Sequence, residues 1–300
     1  MERKANIDAL GATYLIGFSA LLGLNQVVIK LTNVGLQPVF SAGLRSLGAM
    51  IVLYLWMKFR GQSIHFERKI AVFGLIAGVL FASEFILLFI AIDLTSVART
   101  SIMFYSMPFW LAIMVHFTIP SERLTRRKVA GLILAFFGVI LVLFSKNPSA
   151  DGSIKGDLFA LIGSMGWAGI ALNARITPFQ HVSPMMQNYW QVSVSSVLLL
   201  VAALFFGPLI REFTLFHAGT MAFQIVVVAS AGFMFWFWLL KRYPAAGVAS
   251  FGFLAPIFGV GFGWLVLGEE IGPLLLLALV LVCAGLILIN RPVRQVPQKV

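Results

Sequence analysis

Ten apolar runs, set apart by short polar bursts, limit what this chain can fold into more than any other feature. They cover residues 9–30, 38–57, 70–92, 95–117, 127–144, 156–175, 184–207, 217–240, 244–267 and 271–290. A bilayer span takes ~20 apolar residues, with a lower limit near ~17. In hydrocarbon every backbone N–H and C=O must be paired within its own segment, so runs of this length predict helices. The ~10-residue alternating segments of a membrane β-barrel are absent. Composition agrees: the 300 residues are 60% hydrophobic and 11% charged, with mean hydropathy +0.97. A soluble domain carries about a quarter charged residues, so this chain lacks the polar surface to face water all round.

The net charge of +11 raises nucleic acid as a partner. The basic residues sit in bursts between apolar runs, not on one face, which excludes that reading. In a membrane chain such bursts are topology signals. With the N-terminus inside, sixteen of the 22 basic residues fall on the inner side. Five fall outside (Lys30, Arg99, Lys146, Lys155 and Arg211), and Arg45 lies within a run. This asymmetry predicts both termini in the cytoplasm of a multi-pass protein. Residues 9–29 imitate a secretion signal but lack a small-residue cleavage site, so they read as a retained helix. Cys283 is the single cysteine and cannot form an internal disulfide. No N-glycosylation acceptor occurs, which fits the cytoplasmic membrane of a bacterium.

The chain repeats itself. Ala98 to Pro108 and Ala246 to Pro256 are both ten residues apart, and Glu122 to Gly138 and Glu269 to Gly285 are both sixteen apart. Proline, acidic turn and glycine recur in one order, as in an internal duplication. Five helices per half is an odd number, so the halves enter the membrane in opposite senses. The expected fold is all-α and integral to the membrane. It has ten transmembrane helices as two inverted five-helix repeats, residues 1–147 and 148–300. Inverted repeats of this kind place a substrate site near mid-bilayer, between the repeats.

Several stretches resemble the EamA-type members of the drug/metabolite transporter superfamily. Leu22-Gly23-Leu24-Asn25 through Ile29-Lys30 is similar to the family's first-helix pattern, with Leu22 in the tryptophan position and Trp167 in the repeat counterpart. Gly43-Leu44-Arg45 resembles the second-helix arginine. The string from Ala98 through Pro108, Glu122-Arg123-Leu124 and Gly131 to Gly138 resembles its strongest motif. Gly268-Glu269 resembles the second-half counterpart, with Glu270 where a basic residue is usual. The resemblance implies the ten-helix inverted-repeat fold and transport of small organic metabolites.

Of 33 charged side chains, Arg45 and Glu84 lie well inside the runs, each ~10–12 Å below the outer boundary at ~1.5 Å per residue. Charge at that depth is costly and faces the interior. The expectation is an ion pair or a shared water-filled cavity, with a purely structural pair locking the second and third helices as the alternative. Glu84 is the candidate carrier of a coupled proton. Pro108 and Pro256 each remove a backbone hydrogen bond near mid-helix and are candidate hinges, with a tolerated kink as the alternative. Ser101, Tyr105 and Pro108 share a helix face. Tyr105, Trp167, Gln191 and Trp236 are further cavity candidates, with helix packing as the competing role for each. Trp190, Trp238 and Trp264 fall near interfaces, where aromatic belts are the default. Gly74-x-x-x-Gly78 is a helix-packing face. Glu122 and Glu269 read as helix-capping groups.

The expected function is a secondary transporter that moves small organic metabolites, amino acids or related compounds, out of the cell. The alternative is an importer of a metabolite or vitamin. The chain has no Walker sequence, so ATP is not its direct energy source. A membrane-embedded enzyme is a distant alternative. His65, His116, His181 and His217 are scattered, and no H-E-x-x-H sequence occurs. No cofactor or metal is expected. The partners are the bilayer and a small-molecule substrate, for a monomer or homodimer.

Overall fold

The computed structural model describes residues 7–61, 68–120, 124–145, 153–243, 248 and 251–290. Among these the chain is helical, and its one β contact is an isolated bridge between Leu36 and Ile210. The helices are α1 (Ala9–Gly35), α2 (Pro38–Phe59), α3 (Arg68–Leu94), α4 (Val97–Phe104), α5 (Met107–Thr118), α6 (Arg126–Phe144) and α7 (Ile154–Ile176). A short 3₁₀ turn (Pro178–His181) leads into α8 (Pro184–Ala203). Then come α9 (Leu215–Phe223), a π-helical segment (Gln224–Gly232), α10 (Phe233–Arg242), α11 (Leu254–Leu267) and α12 (Pro273–Asn290). The starts follow local chemistry. Asp8 caps α1, Ser96 caps α4 and Thr125 caps α6 through side-chain oxygens that accept backbone N–H bonds. Gln37 and Ser183 do the same for α2 and α8, each followed by a proline in the first turn.

Among the described residues, seven helical stretches are long and apolar enough to cross a membrane: α1, α2, α3, α4 with α5, α6, α7, and Leu215–Trp236. The helices α11 and α12 are apolar but shorter, and α8 carries Gln187, Asn188, Gln191 and three serines. Outward faces are greasy, as on α6 with Ile133, Phe136 and Phe137 and on α12 with Leu276, Leu277 and Val280.

The halves are interlocked. The most extensive helix contacts, α6 with α12, α3 with α7, α2 with α8, α3 with α8 and α1 with α11, each join one half to the other. Glycines set the closest approaches. A Cβ added to Gly131 would lie 2.7 Å from the carbonyl oxygen of Gly285, and one added to Gly285 would lie 2.5 Å from that of Gly131. Gly138 meets Ala278 and Val282 in the same way, while Gly285 also meets Ala135. Numbering rises along α6 as it falls along α12, so the two helices are antiparallel. Matched positions of the two copies also exchange contacts about a local two-fold. The Gly74-x-x-x-Gly78 face of α3 is filled from within the chain, by Trp190 and Val194 of α8.

Three details differ from the sequence expectation. Trp190 is buried against Gly74 and is not part of an interfacial belt, whereas Trp264 is exposed. The fourth run is two helices, broken at residues 105–106. Its counterpart in the second half has a turn at residues 251–253, and α11 begins only at Leu254. The Ser121-Glu122-Arg123 turn and the Ala246 start of the second copy lie outside the described residues.

The glycine contacts make a direct prediction. Gly285→Ala should lower the melting temperature of the detergent-solubilised protein, as overpacking of about 1–3 kcal/mol would. Gly219→Ala, at an exposed helical position with nothing within 4 Å of the added carbon, should leave it unchanged or slightly higher. Equal melting temperatures for the two variants would count against the close α6–α12 approach.

Candidate functional site

Arg45 on α2 and Glu84 on α3 are 5% and 4% exposed. The Arg45 guanidinium carbon lies 4.8 Å from the Phe85 ring centroid and 6.0 Å from that of Phe89. This is the cation–π geometry that partly replaces water around a buried cation. Glu84 abuts the small-residue face of α7, where a Cβ on Gly166 would stand 3.5 Å from its own Cβ. Arg45 and Glu84 are both sealed in the bundle interior. They do not form an ion-pair contact within 4.0 Å, and Glu84 Oε2 has no hydrogen-bond partner. Of the sequence expectations for this pair, the direct ion pair is absent.

The break between α4 and α5 brings Tyr105 to the same place. Its hydroxyl donates to the Leu22 carbonyl oxygen at 3.1 Å. Its ring stands edge-on to Trp167 of α7 at 6.1 Å, and Phe104 stacks on Trp167 at 5.1 Å. One turn earlier, Ser101 Oγ donates to Gln26 Oε1 at 2.7 Å, which leaves Gln26 Nε2 without an acceptor. So Arg45, Glu84, Tyr105 and Trp167 converge, joined by Ser101, from the helix face it shares with Tyr105, and by Gln26, which the sequence did not single out. The other two cavity candidates sit elsewhere. Gln191 is buried on α8, one turn from Asn188, whose two amide atoms are buried and unpartnered. Trp236 stacks on Phe18 at 5.1 Å, in an aromatic cluster with Tyr14, Phe235 and Trp238. Gln187 donates to the carbonyls of Phe179 and Val182 and so fastens the 3₁₀ turn. Pro108 opens α5 and Pro256 falls in the first turn of α11, so each proline follows a helix break.

Arg99 and Asp157 are 2% and 0% exposed and form a buried ion pair. Arg99 Nε donates to Asp157 Oδ1 at 3.0 Å, Arg99 Nη1 donates to the Ser145 carbonyl, and Thr95 Oγ1 donates to Asp157 Oδ1 at 3.1 Å. The pair welds the start of α4 to the end of α6 and the first turn of α7. Charge counting had placed Arg99 outside. The available signal was one basic and one acidic residue, each a few positions inside the edge of an apolar run.

Glu269 does cap a helix, but in the opposite half. The backbone N–H groups of Val97 and Ala98, at the start of α4, donate to its carboxylate at 2.6 and 2.8 Å. Burial pushes this carboxyl above the usual range, while those two N–H bonds and the charge of Lys30 pull it back. Lys30 Nζ donates to the Thr95 carbonyl at 2.9 Å, closing the end of α3. Arg211, in the loop before α9, grips Asp93 at 2.9 and 3.0 Å and the Asn33 carbonyl at 2.9 Å. One end of the bundle is therefore tied across the halves. Among the described residues no group of three His, Cys, Asp or Glu could hold a metal ion.

The EamA-like transporter family matches twice, over residues 9–144 and 154–291. The "Uncharacterized transporter YoaV" of Bacillus subtilis is 24% identical over 275 residues, covering 91% of this chain and 94% of its own. The "Probable amino-acid metabolite efflux pump" of Escherichia coli is 27% identical, covering 95% and 94%. A protein of the same description from Salmonella typhimurium is 28% identical, covering 90% and 93%. One solved crystal structure superposes with a TM-score of 0.64 at 19% identity, covering 92% of this chain and 96% of that one, which supports the fold.

The buried pair yields the second prediction. Asp157→Ala strands a buried guanidinium and should cost about 3–5 kcal/mol, read as a large loss of thermal stability in detergent. The double variant Arg99→Met with Asp157→Leu should recover most of it, because no uncompensated charge remains. A double variant as unstable as the single one would show that the hydrogen bonds to Ser145 and Thr95, not charge compensation, dominate.

Proposed function

This chain belongs to the EamA-like transporter family, and on that premise we propose a secondary transporter that exports small organic metabolites, amino acids or related compounds, by alternating access. One observation carries the reading. A cluster holding buried Arg45 and Glu84 lies where elements of both halves meet, beside a helix break whose counterpart recurs in the second half. Broken helices at a repeat interface supply both unpaired backbone groups for a substrate and a place to bend.

In this reading the chain spans the cytoplasmic membrane ten times as two inverted repeats, 1–147 and 148–300, with both termini inside. The antiparallel, two-fold-related packing of α6 and α12 supports the inversion. The end tied by Arg211, Asp93 and Glu269 is then the outer one. Pro108 and Pro256 mark the hinges. Export is favoured by the naming of two relatives as "Probable amino-acid metabolite efflux pump". Glu84, buried and with one oxygen unpartnered, carries the coupled proton.

The test is reconstitution. Proteoliposomes should exchange one or more members of a labelled panel of amino acids and vitamins, and an imposed pH gradient should drive net accumulation in inside-out vesicles. Glu84→Gln should abolish the gradient-driven accumulation and keep the exchange. Gradient-driven accumulation by Glu84→Gln would remove the proton role, and no exchange of any compound would overturn transport of metabolites.

A further inference from the structure

One buried amide takes no part in the central cluster. Asn188, in the second turn of α8, is 2% exposed, and neither its Nδ2 nor its Oδ1 has a hydrogen-bond partner. A donor and an acceptor both left unpaired at that burial are costly unless something else meets them. The neighbouring Gln187 is committed to the chain, through its bonds to the Phe179 and Val182 carbonyls. Gln191, 9% exposed, stands three residues after Asn188 and shares its face. The face of α8 that packs on α3 is a different one, and it carries Trp190 and Val194 against Gly74 and Gly78. The depth of the pair follows from the repeat. Helices α2 and α8 begin alike, with a capping residue and then a proline, and Arg45 stands seven residues after Pro38 as Gln191 does after Pro184. The two helices are antiparallel, since Gln37 Nε2 donates to the Ala203 carbonyl at 2.7 Å and Gly43 approaches Leu200. At ~1.5 Å per residue Gln191 therefore lies ~6–10 Å from the level of Arg45, and Asn188 ~4–5 Å further, toward the end opposite the one tied by Arg211.

We propose that Asn188 and Gln191 form a second, uncharged binding station between the central cluster and the inner membrane face, where the transported metabolite is held by a polar group on its way from the cytoplasm. The inference rests on the transporter reading above and adds a site to it. A carboxamide donates through its nitrogen and accepts through its oxygen. The ligand group is therefore one that does both, held by hydrogen bonds with no counter-charge. Neutral hydrogen bonds are about half as strong as charge-assisted ones. The station thus holds its ligand more loosely than a cluster with Arg45 and Glu84, and passes it on. The frame of the protein does not call for an amide here. By the same match of helix starts, the first-half mate of Asn188 is Ala42, which is apolar and 0% exposed. A position that alanine fills in one copy carries two orphaned polar atoms in the other, and a passing ligand gives them partners.

The experiment replaces Asn188 by an apolar side chain of about its own size, in the full-length protein. Asn188→Leu removes two unpaired polar atoms, so the melting temperature in detergent without substrate should rise. Exchange is then measured in inside-out and right-side-out vesicles, with each compound of the labelled amino-acid and vitamin panel that the wild-type protein exchanges. The half-saturating concentration at the inner face should rise at least about fivefold, and that at the outer face should stay within about twofold. Asn188→Ser keeps a donor and an acceptor and should recover most of the inner-face loss. Gln191→Leu should act as Asn188→Leu does on transport, and Trp264→Phe, on the exposed surface, should change neither face. A higher melting temperature with unchanged inner-face kinetics would overturn the station, because the amide would then meet no ligand. A lower melting temperature would overturn it in favour of a structural amide. An equal loss at both faces would overturn it by merging Asn188 with the central cluster. Each of these leaves the transporter reading intact, whereas a wild-type protein that exchanges no compound would overturn that reading and the station with it.

Discussion

Every backbone carbonyl that a broken helix releases inside an apolar bundle must find a donor, and the placement of the breaks follows from that requirement. At the first break Ser106 Oγ donates back to the Met103 carbonyl at 2.6 Å and reaches Ser164 of α7 at 3.3 Å. At the second, the Phe251 carbonyl accepts from Ser19 of α1 at 3.4 Å, and the Phe253 carbonyl accepts from Cys283 of α12 at 3.5 Å. The arrangement is reciprocal. Each break leans on the helix that opens the other half: α7 for the break at 105–106, α1 for the break at 251–253. A break is tolerable only where it is wrapped by protein, so the bendable points and the buried polar cluster fall in the same region for one physical reason.

The scaffold is close to symmetric, but its chemistry is not. Glu84 sits on α3, which is regular along its length, and is accommodated by Gly163 and Gly166 of α7. The matching position in the second half is Gly232, at the end of a π-helical segment in which Ser230 Oγ donates to the Ile225 carbonyl five residues back. Gln224 begins that segment, and its amide donates to Thr32 of α1 at 2.7 Å. Duplication supplied two copies of a frame. One copy then spends its central position on a charge, the other on a locally widened helix, a feature that accompanies functional sites.

The elements legible in the sequence are those set by solvent and by local covalent constraint. Apolar run length marks the long helices, the prolines mark the breaks, and the cost of charge in hydrocarbon marks Arg45 and Glu84. What the sequence hides depends on three-dimensional partners. Gln26 is an ordinary amide until Ser101 occupies its oxygen and orphans its nitrogen. Arg99 and Asp157 sit at the edges of apolar runs, where charge counting treats them as solvated, and only the approach of α4 to α7 buries them. Trp190 has the position of an interfacial belt residue, yet the missing side chain of Gly74 draws it inward. Glu269 has the look of a cap for the helix that follows it, but the free N–H groups it satisfies begin a helix in the other half.

Two ion pairs at the tied end, among the described residues, differ in what it costs to break them. Arg211 and Asp93 are 39% and 26% exposed, and a pair so hydrated contributes about 0–1 kcal/mol. Arg99 and Asp157 are sealed from water, and separating them would strand two buried charges at a cost of several kcal/mol. A motion that opened this end would therefore part Arg211 from Asp93 and carry α4, the end of α6 and α7 along together, held by Arg99. Glu269 grips the first N–H groups of α4 and belongs to the turn between α11 and α12, so that turn would travel with the same body or release it. The weld includes α7, whose Gly166 and Trp167 border Glu84. A displacement at the tied end is thus transmitted mechanically to the wall of the central cluster, which is what exposure of a mid-membrane site to alternate sides demands.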